Sequence, residues 1–97
     1  MIVKIPFNDW SRSKLQFGLK CCTSRTKIYG ELGDTFEVNN STYRIEYIMR
    51  LPLIFVRDYL YREEGANSPE EFEEVWNSIH PSGIKDQSVY VHFFKLL

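Results

Sequence analysis

Residues 88–94, Ser-Val-Tyr-Val-His-Phe-Phe, are rich in apolar side chains at both odd and even positions. Successive side chains of a strand point to opposite faces of its sheet. A strand that is apolar on both faces must be covered on both, which predicts a central place in a sheet. Earlier strands must then flank it, and other elements must close over each side.

The chain supplies such strands. Thr35-Phe36-Glu37-Val38 alternates apolar and polar, as a half-buried strand does. The turn pair Gly33-Asp34 precedes it and Asn39-Asn40-Ser41 follows it. Tyr43-Arg44-Ile45-Glu46-Tyr47-Ile48 alternates again, so the two runs read as a hairpin. Met1–Pro6 reads as a further short strand, with Ile2 and Val3 apolar.

Helical signals lie between the strands. Asn8 or Asp9 can cap a helix of about two turns that starts near Trp10, with Trp10, Leu15 and Phe17 as its apolar anchors. Gly18 stands where such a helix ends. Lys20–Arg25 then emerges as a loop or short extended piece. Pro52 opens a second helix, with Val56, Tyr59 and Leu60 on its buried side. Ser68-Pro69-Glu70-Glu71 is a capping box, followed by Phe72, Val75, Trp76 and Ile79 as an amphipathic stripe. His80-Pro81 and Gly83 stop that helix, and the Glu70–Glu74 acids form its solvated face.

The order is strand, helix, two strands, two helices, strand. With 97 residues the chain is one domain, spanning 1–97. A domain of this size buries roughly 60–70% of its unfolded surface, enough for a core without staples. The predicted class is α+β: a small β-barrel with flanking helices.

Charge is sorted along the chain although the net charge is only −1. Residues 10–30 hold Arg12, Lys14, Lys20, Arg25 and Lys27 and no acid. Residues 58–74 hold Asp58, Glu63, Glu64, Glu70, Glu71, Glu73 and Glu74 against Arg62. The near-neutral balance argues against tight binding to long duplexes, which needs many phosphate contacts. A small basic cleft for a nucleotide or a short single strand remains open to it.

Cys21 and Cys22 are adjacent, with no second pair to complete a zinc site, and read as reduced thiols. No metal site or cofactor is expected. No apolar run approaches the ~20 residues of a membrane helix. Met1–Pro6 is too short for the apolar part of a signal peptide. A cytoplasmic protein without membrane contact is the expectation. His92 reads as a packed strand histidine, and His80 as a helix-end residue favoured by the dipole. Tyr29, Tyr43, Tyr47 and Tyr90 offer faces for a base, but strand aromatics in so small a fold read first as core.

Gly18-x-Lys20-x-x-Thr23-x-Arg25 resembles the G-x-K-x-x-E-x-R signature of the ASCH domain, a group within the PUA-like β-barrel superfamily. Thr23 stands where many members carry Glu. The small bacterial N4-acetylcytidine amidohydrolases of that group also carry K-x-x-T-x-R. Gly33-Asp34, Tyr61–Gly65, Ser68–Phe72, Trp76 and Ile79-His80-Pro81 extend the resemblance over nearly the whole chain.

The resemblance implies a PUA-like barrel and a catalytic set of Lys20, Thr23 and a later Glu, taken as Glu64 with Glu63 as the alternative. A Thr hydroxyl is a weak nucleophile unless a base takes its proton. A lysine stripped of its own proton by burial or nearby positive charge is one such base, with Arg25 and Lys27 as the candidate neighbours of Lys20. Glu64 would hold the ammonium or relay a proton, and Arg25 would bind phosphate or steady an oxyanion. The expected reaction is removal of an acyl group from a modified cytidine through an acyl-Thr intermediate. Gly18, Arg25 and Lys27 are the expected contacts to a nucleoside or RNA. The alternative is a non-catalytic RNA-binding module, or a ribonuclease, using the same Lys/Arg cleft.

Overall fold

A computed structural model describes residues 1–97. The elements run α1 (Asp9–Gln16), β1 (Cys22–Arg25), β2 (Thr35–Val38), β3 (Ser41–Pro52), α2 (Leu53–Tyr59), α3 (Tyr61–Glu64), α4 (Pro69–Ile79) and β4 (Ser88–Leu96). The strands form one antiparallel sheet in the order β1-β4-β3-β2, curled into a half-barrel. β4 is central, as its two apolar faces require. Val89 and Val91 pack with Cys22, Leu53, Val56, Ala66, Phe72 and Trp76. Phe94, on the other face, packs with Ile5, Phe7, Leu15, Phe36, Val38, Tyr43 and Ile45. The sheet thus separates two cores, one under α2–α4 and one under α1 and the N-terminal segment.

The β2–β3 hairpin turns through Asn39 and Asn40 at φ 55° and 63°. Both residues are left-handed, which matches the twist of a two-residue hairpin, and Asn tolerates that region better than most residues. β3 is longer than its alternating run suggested and pairs β4 as far as Pro52, with an irregularity between Ile45 and Tyr47. Such a bulge bends a strand and adds to the curl. The curl stops short of closure. The predicted N-terminal strand is reduced to one bridge, Ile2 to Thr35, because the chain then turns to bury Ile5 and Phe7.

Three apolar assignments on the helices shift. Phe17 is exposed because α1 ends at Gln16, leaving Leu15 as its buried anchor and Trp10 half-buried. Tyr59 is exposed, and α2 buries Leu53 and Val56 three residues apart instead. On α4 the inward residues are Phe72 and Trp76, while Ile79 in the last turn is about half exposed. The caps follow the sequence: Asn8 accepts from the Ser11 N–H at 2.8 Å, and Ser68 from the Glu71 N–H at 3.1 Å. None of the helices is long and apolar enough to cross a membrane.

His92 is fully buried in β4. Its Nε2 accepts from the Tyr29 N–H at 2.9 Å, and its Nδ1 faces the Tyr90 carbonyl at 3.1 Å. These partners assign the proton to Nδ1 and leave the ring neutral. Burial holds the pKa of His92 below its ordinary value, with nearby Arg25 adding to the depression. His80 is lowered by burial and Arg25 as well. The unfolded chain takes up these protons near the ordinary histidine pKa of ~6.5, and the folded chain only at lower pH. The stability they contribute is therefore complete above ~6.5 and is lost as pH falls below it. The thermal midpoint should be level from pH 8 to 7 and decline between 6.5 and 5. A level midpoint across that lower range contradicts the neutral assignment.

Candidate active site at the β1 edge

β1 is an edge strand. Beyond its free edge, the start of α1 from one layer and α3 and α4 from the other leave a cleft of about 330 Å³. That is near the lower end of small-ligand pockets, which run roughly 300–1,000 Å³. Because the cleft lies along an edge, side chains from both faces of β1 border it: Thr23, Ser24 and Arg25. Lys20 and Glu64 join them from the residues before β1 and from the end of α3.

Backbone contacts set which acid arrives. The Cys21 N–H donates to the Glu63 carbonyl at 2.8 Å, fixing the approach to β1 against α3. Glu63 thereby contributes its backbone, and Glu64 its side chain. Gly65 ends α3 at φ 105°. An added Cβ there would lie 3.0 Å from the Cβ of Lys14 and 3.4 Å from that of Lys20. A glycine is required both for the left-handed turn and for this close approach.

At the cleft floor, Lys20 Nζ donates to the Glu64 carbonyl at 2.9 Å and to Glu64 Oε1 at 3.1 Å. The side chains of Lys20 and Glu64 are only 2% and 5% exposed. Ser24 Oγ donates to the other carboxylate oxygen, Oε2, at 2.5 Å. This is the short range of a hydroxyl bonded to a carboxylate. Thr23 is buried beside them, but its Oγ1 accepts from Arg25 Nε at 3.3 Å and makes no hydrogen bond to Lys20 or Glu64.

The remaining expected residues divide. The Arg25 guanidinium borders the cleft and lies over the rings of Phe7 and Tyr29, 4.9 and 5.6 Å from their centroids. Burial lowers its pKa from the usual guanidinium value. Lys27 lies outside the cleft wall, its Nζ 5.0 Å from the Tyr29 ring. Gly18 also lies outside the wall; at φ 70° it turns the chain from α1 toward Lys20. The immediate charged partner of Lys20 is therefore Glu64, not Arg25 or Lys27.

Several lining residues escaped the sequence reading. Trp10, Phe72, Trp76 and His80 form an aromatic wall, with Asn8 and Ser11 at the start of α1. The His80 ring stacks on Trp76 at 4.0 Å. Their separation of four residues, from the last turn of α4 to its cap, was the available signal. His80 caps the C-terminal end of α4, its N–H donating to the Trp76 carbonyl, and burial and Arg25 leave its pKa below the ordinary value. None of Tyr29, Tyr43, Tyr47 and Tyr90 lines the cleft, and Tyr43 is core. No three His, Cys, Asp or Glu side chains converge as metal ligands. Cys22 is buried in the core under the helices, and burial raises its thiol pKa; the exposed Cys21 is raised less far, by burial and Glu63.

The buried pair makes a stability prediction. Removing one partner of a buried ion pair typically costs about 3–5 kcal/mol, because the other charge is left unpaired. Glu64→Ala should lose about that much in urea unfolding, and Lys20→Met with Glu64→Leu should lose less. Wild-type stability in Glu64→Ala would refute the buried pair.

No protein-family profile matches the sequence, and no curated protein matches it. Among solved structures, the chain resembles an ASCH domain from Lactobacillus crispatus with a TM-score of 0.73. The likeness covers 98% of this chain and 77% of the other, at 13% sequence identity. At that identity the likeness lies in the path of the chain, and it shows that this protein has the fold of an ASCH domain.

Proposed function

We propose that the β1-edge cleft binds an acylated nucleoside of the N4-acetylcytidine type and hydrolyses its amide. The observation that carries this reading is the buried Lys20–Glu64 pair meeting the Ser24 hydroxyl at the floor of a nucleoside-sized cleft that Thr23 also lines. Amide hydrolysis needs a nucleophile, a group that takes and returns its proton, and donors for the oxyanion. A β1 hydroxyl, Glu64 and the donors Thr23, Lys20 and Arg25 cover these needs. Trp10 and His80 provide flat faces for a pyrimidine, with Trp76 stacked behind His80, and the neutral His80 ring adds no charge to them.

The charge balance of the cleft bears on its ligand. Lys20 and Arg25 are offset by Glu64, which leaves one net positive charge among the lining residues. Lys27, counted in the sequence as a phosphate contact, is outside the wall. This favours one nucleoside or nucleotide over a strand held by several phosphates. A non-catalytic RNA-binding role, or a ribonuclease, would use Arg25 on the backbone and draw less on the buried pair.

The test is incubation with N4-acetylcytidine, with cytidine release followed by chromatography. Wild type should turn over, and Lys20→Ala and Thr23→Ala, each shown to be folded, should be slower by roughly 10²–10⁴-fold. Folded wild type that releases no cytidine would rule out this substrate.

A further inference from the structure

We infer that Ser24, rather than Thr23, is the attacking hydroxyl of this site. The inference rests on the amide-hydrolysis reading and assigns its nucleophile. A general base must lie within hydrogen-bond reach of the proton it takes. Ser24 Oγ meets that condition, donating to Glu64 Oε2 at 2.5 Å with both residues buried at the cleft. Its proton already points at the carboxylate. The Thr23 hydroxyl oxygen accepts from Arg25 and has no such acceptor for its own proton.

Lys20 explains why the carboxylate is held in this pose. Its ammonium occupies Oε1 and the Glu64 carbonyl, so Oε2 is the oxygen turned to Ser24. Lys20 then acts as a fixed cation that orients Glu64. Thr23, with its oxygen engaged by Arg25, keeps its proton for the acyl oxygen. Ser24 falls at an unspecified position of the K-x-x-T-x-R pattern, so the pattern cannot have designated it.

The step balances. Ser24 Oγ bonds to the acyl carbon as its proton passes to Glu64 Oε2, and the carbonyl electron pair moves onto oxygen. Thr23 and Arg25 face that oxyanion. The oxyanion collapses, the carbon–nitrogen bond breaks, and the departing exocyclic amine takes the proton from Glu64. This leaves free cytidine and an acyl-Ser24 ester. Water then adds to the ester and gives its proton to Glu64. Ser24 leaves with that proton, and the carboxylic acid is released.

The test is where the acyl group sits. Wild type is mixed with N4-acetylcytidine or p-nitrophenyl acetate, quenched in acid and digested with trypsin. Fragment-ion mass spectrometry of Cys21–Arg25 separates acyl-Thr23 from acyl-Ser24. Expected are an acyl group on Ser24, its absence in Ser24→Ala, and turnover of Ser24→Ala reduced by roughly 10²–10⁴-fold. Ser24→Cys keeps a nucleophile and should carry the acyl group as a thioester, which covers the case of a poorly folded alanine variant. An acyl group on Thr23, or near-wild-type turnover of folded Ser24→Ala, would overturn this assignment while leaving amide hydrolysis standing. Folded wild type with neither turnover nor acylation would overturn both.

Discussion

Two opposite charges buried against each other at one end of the sheet organise this molecule's site. Removing Lys20 and Glu64 from water is costly, and their attraction offsets that cost only with close geometry and further hydrogen bonds. The structure supplies both. The ammonium has a carboxylate oxygen and a carbonyl, and the second carboxylate oxygen has the Ser24 hydroxyl. An apolar pair of similar size would serve stability as well or better in many proteins. Here the ionic pair fixes the positions of the polar atoms at the floor of a cleft.

That placement depends on β4. Because β4 is covered on both faces, it sits in the middle of the sheet, and β1 is left at the edge. An edge strand with free backbone groups is usually blunted or covered. Here α1, α3 and α4 approach the edge without sealing it. Polar side chains from both faces of β1 therefore share one space with the aromatic side of α4. A central strand would have divided Thr23 from Ser24 between two separate layers.

Much of the framework is visible in local pattern. The both-faces apolar character of 88–94, the 35–38 and 43–48 alternation around Asn39-Asn40, and the Ser68–Glu71 capping box each carry their own physical reason and appear where those reasons place them. Errors concentrate at element ends. Phe17 lies just past the end of α1 and Tyr59 ends α2, and both side chains are exposed while Leu15 and Val56 of the same turns are buried. The order of elements predicts a small barrel with flanking helices; the sheet curls into a half-barrel, and the N-terminal segment turns away from it to fill the core under α1.

The site divides along the same line. Lys20, Thr23 and Arg25 could be singled out because they lie within six residues of one another, and spacing is a local property. Glu64 could be proposed only beside Glu63, since nothing local separates two adjacent acids. A backbone bond from Cys21 to Glu63 and the left-handed turn at Gly65 settle which carboxylate faces inward. The partnership of Ser24 with Glu64 and the wall of Trp10, Trp76 and His80 join residues 40 or more positions apart in part or whole. Short-range order in the chain specifies elements and their polar–apolar faces. Which hydroxyl meets which carboxylate depends on the angles at which packed elements cross, and those angles exist only once the two cores have formed on either side of β4.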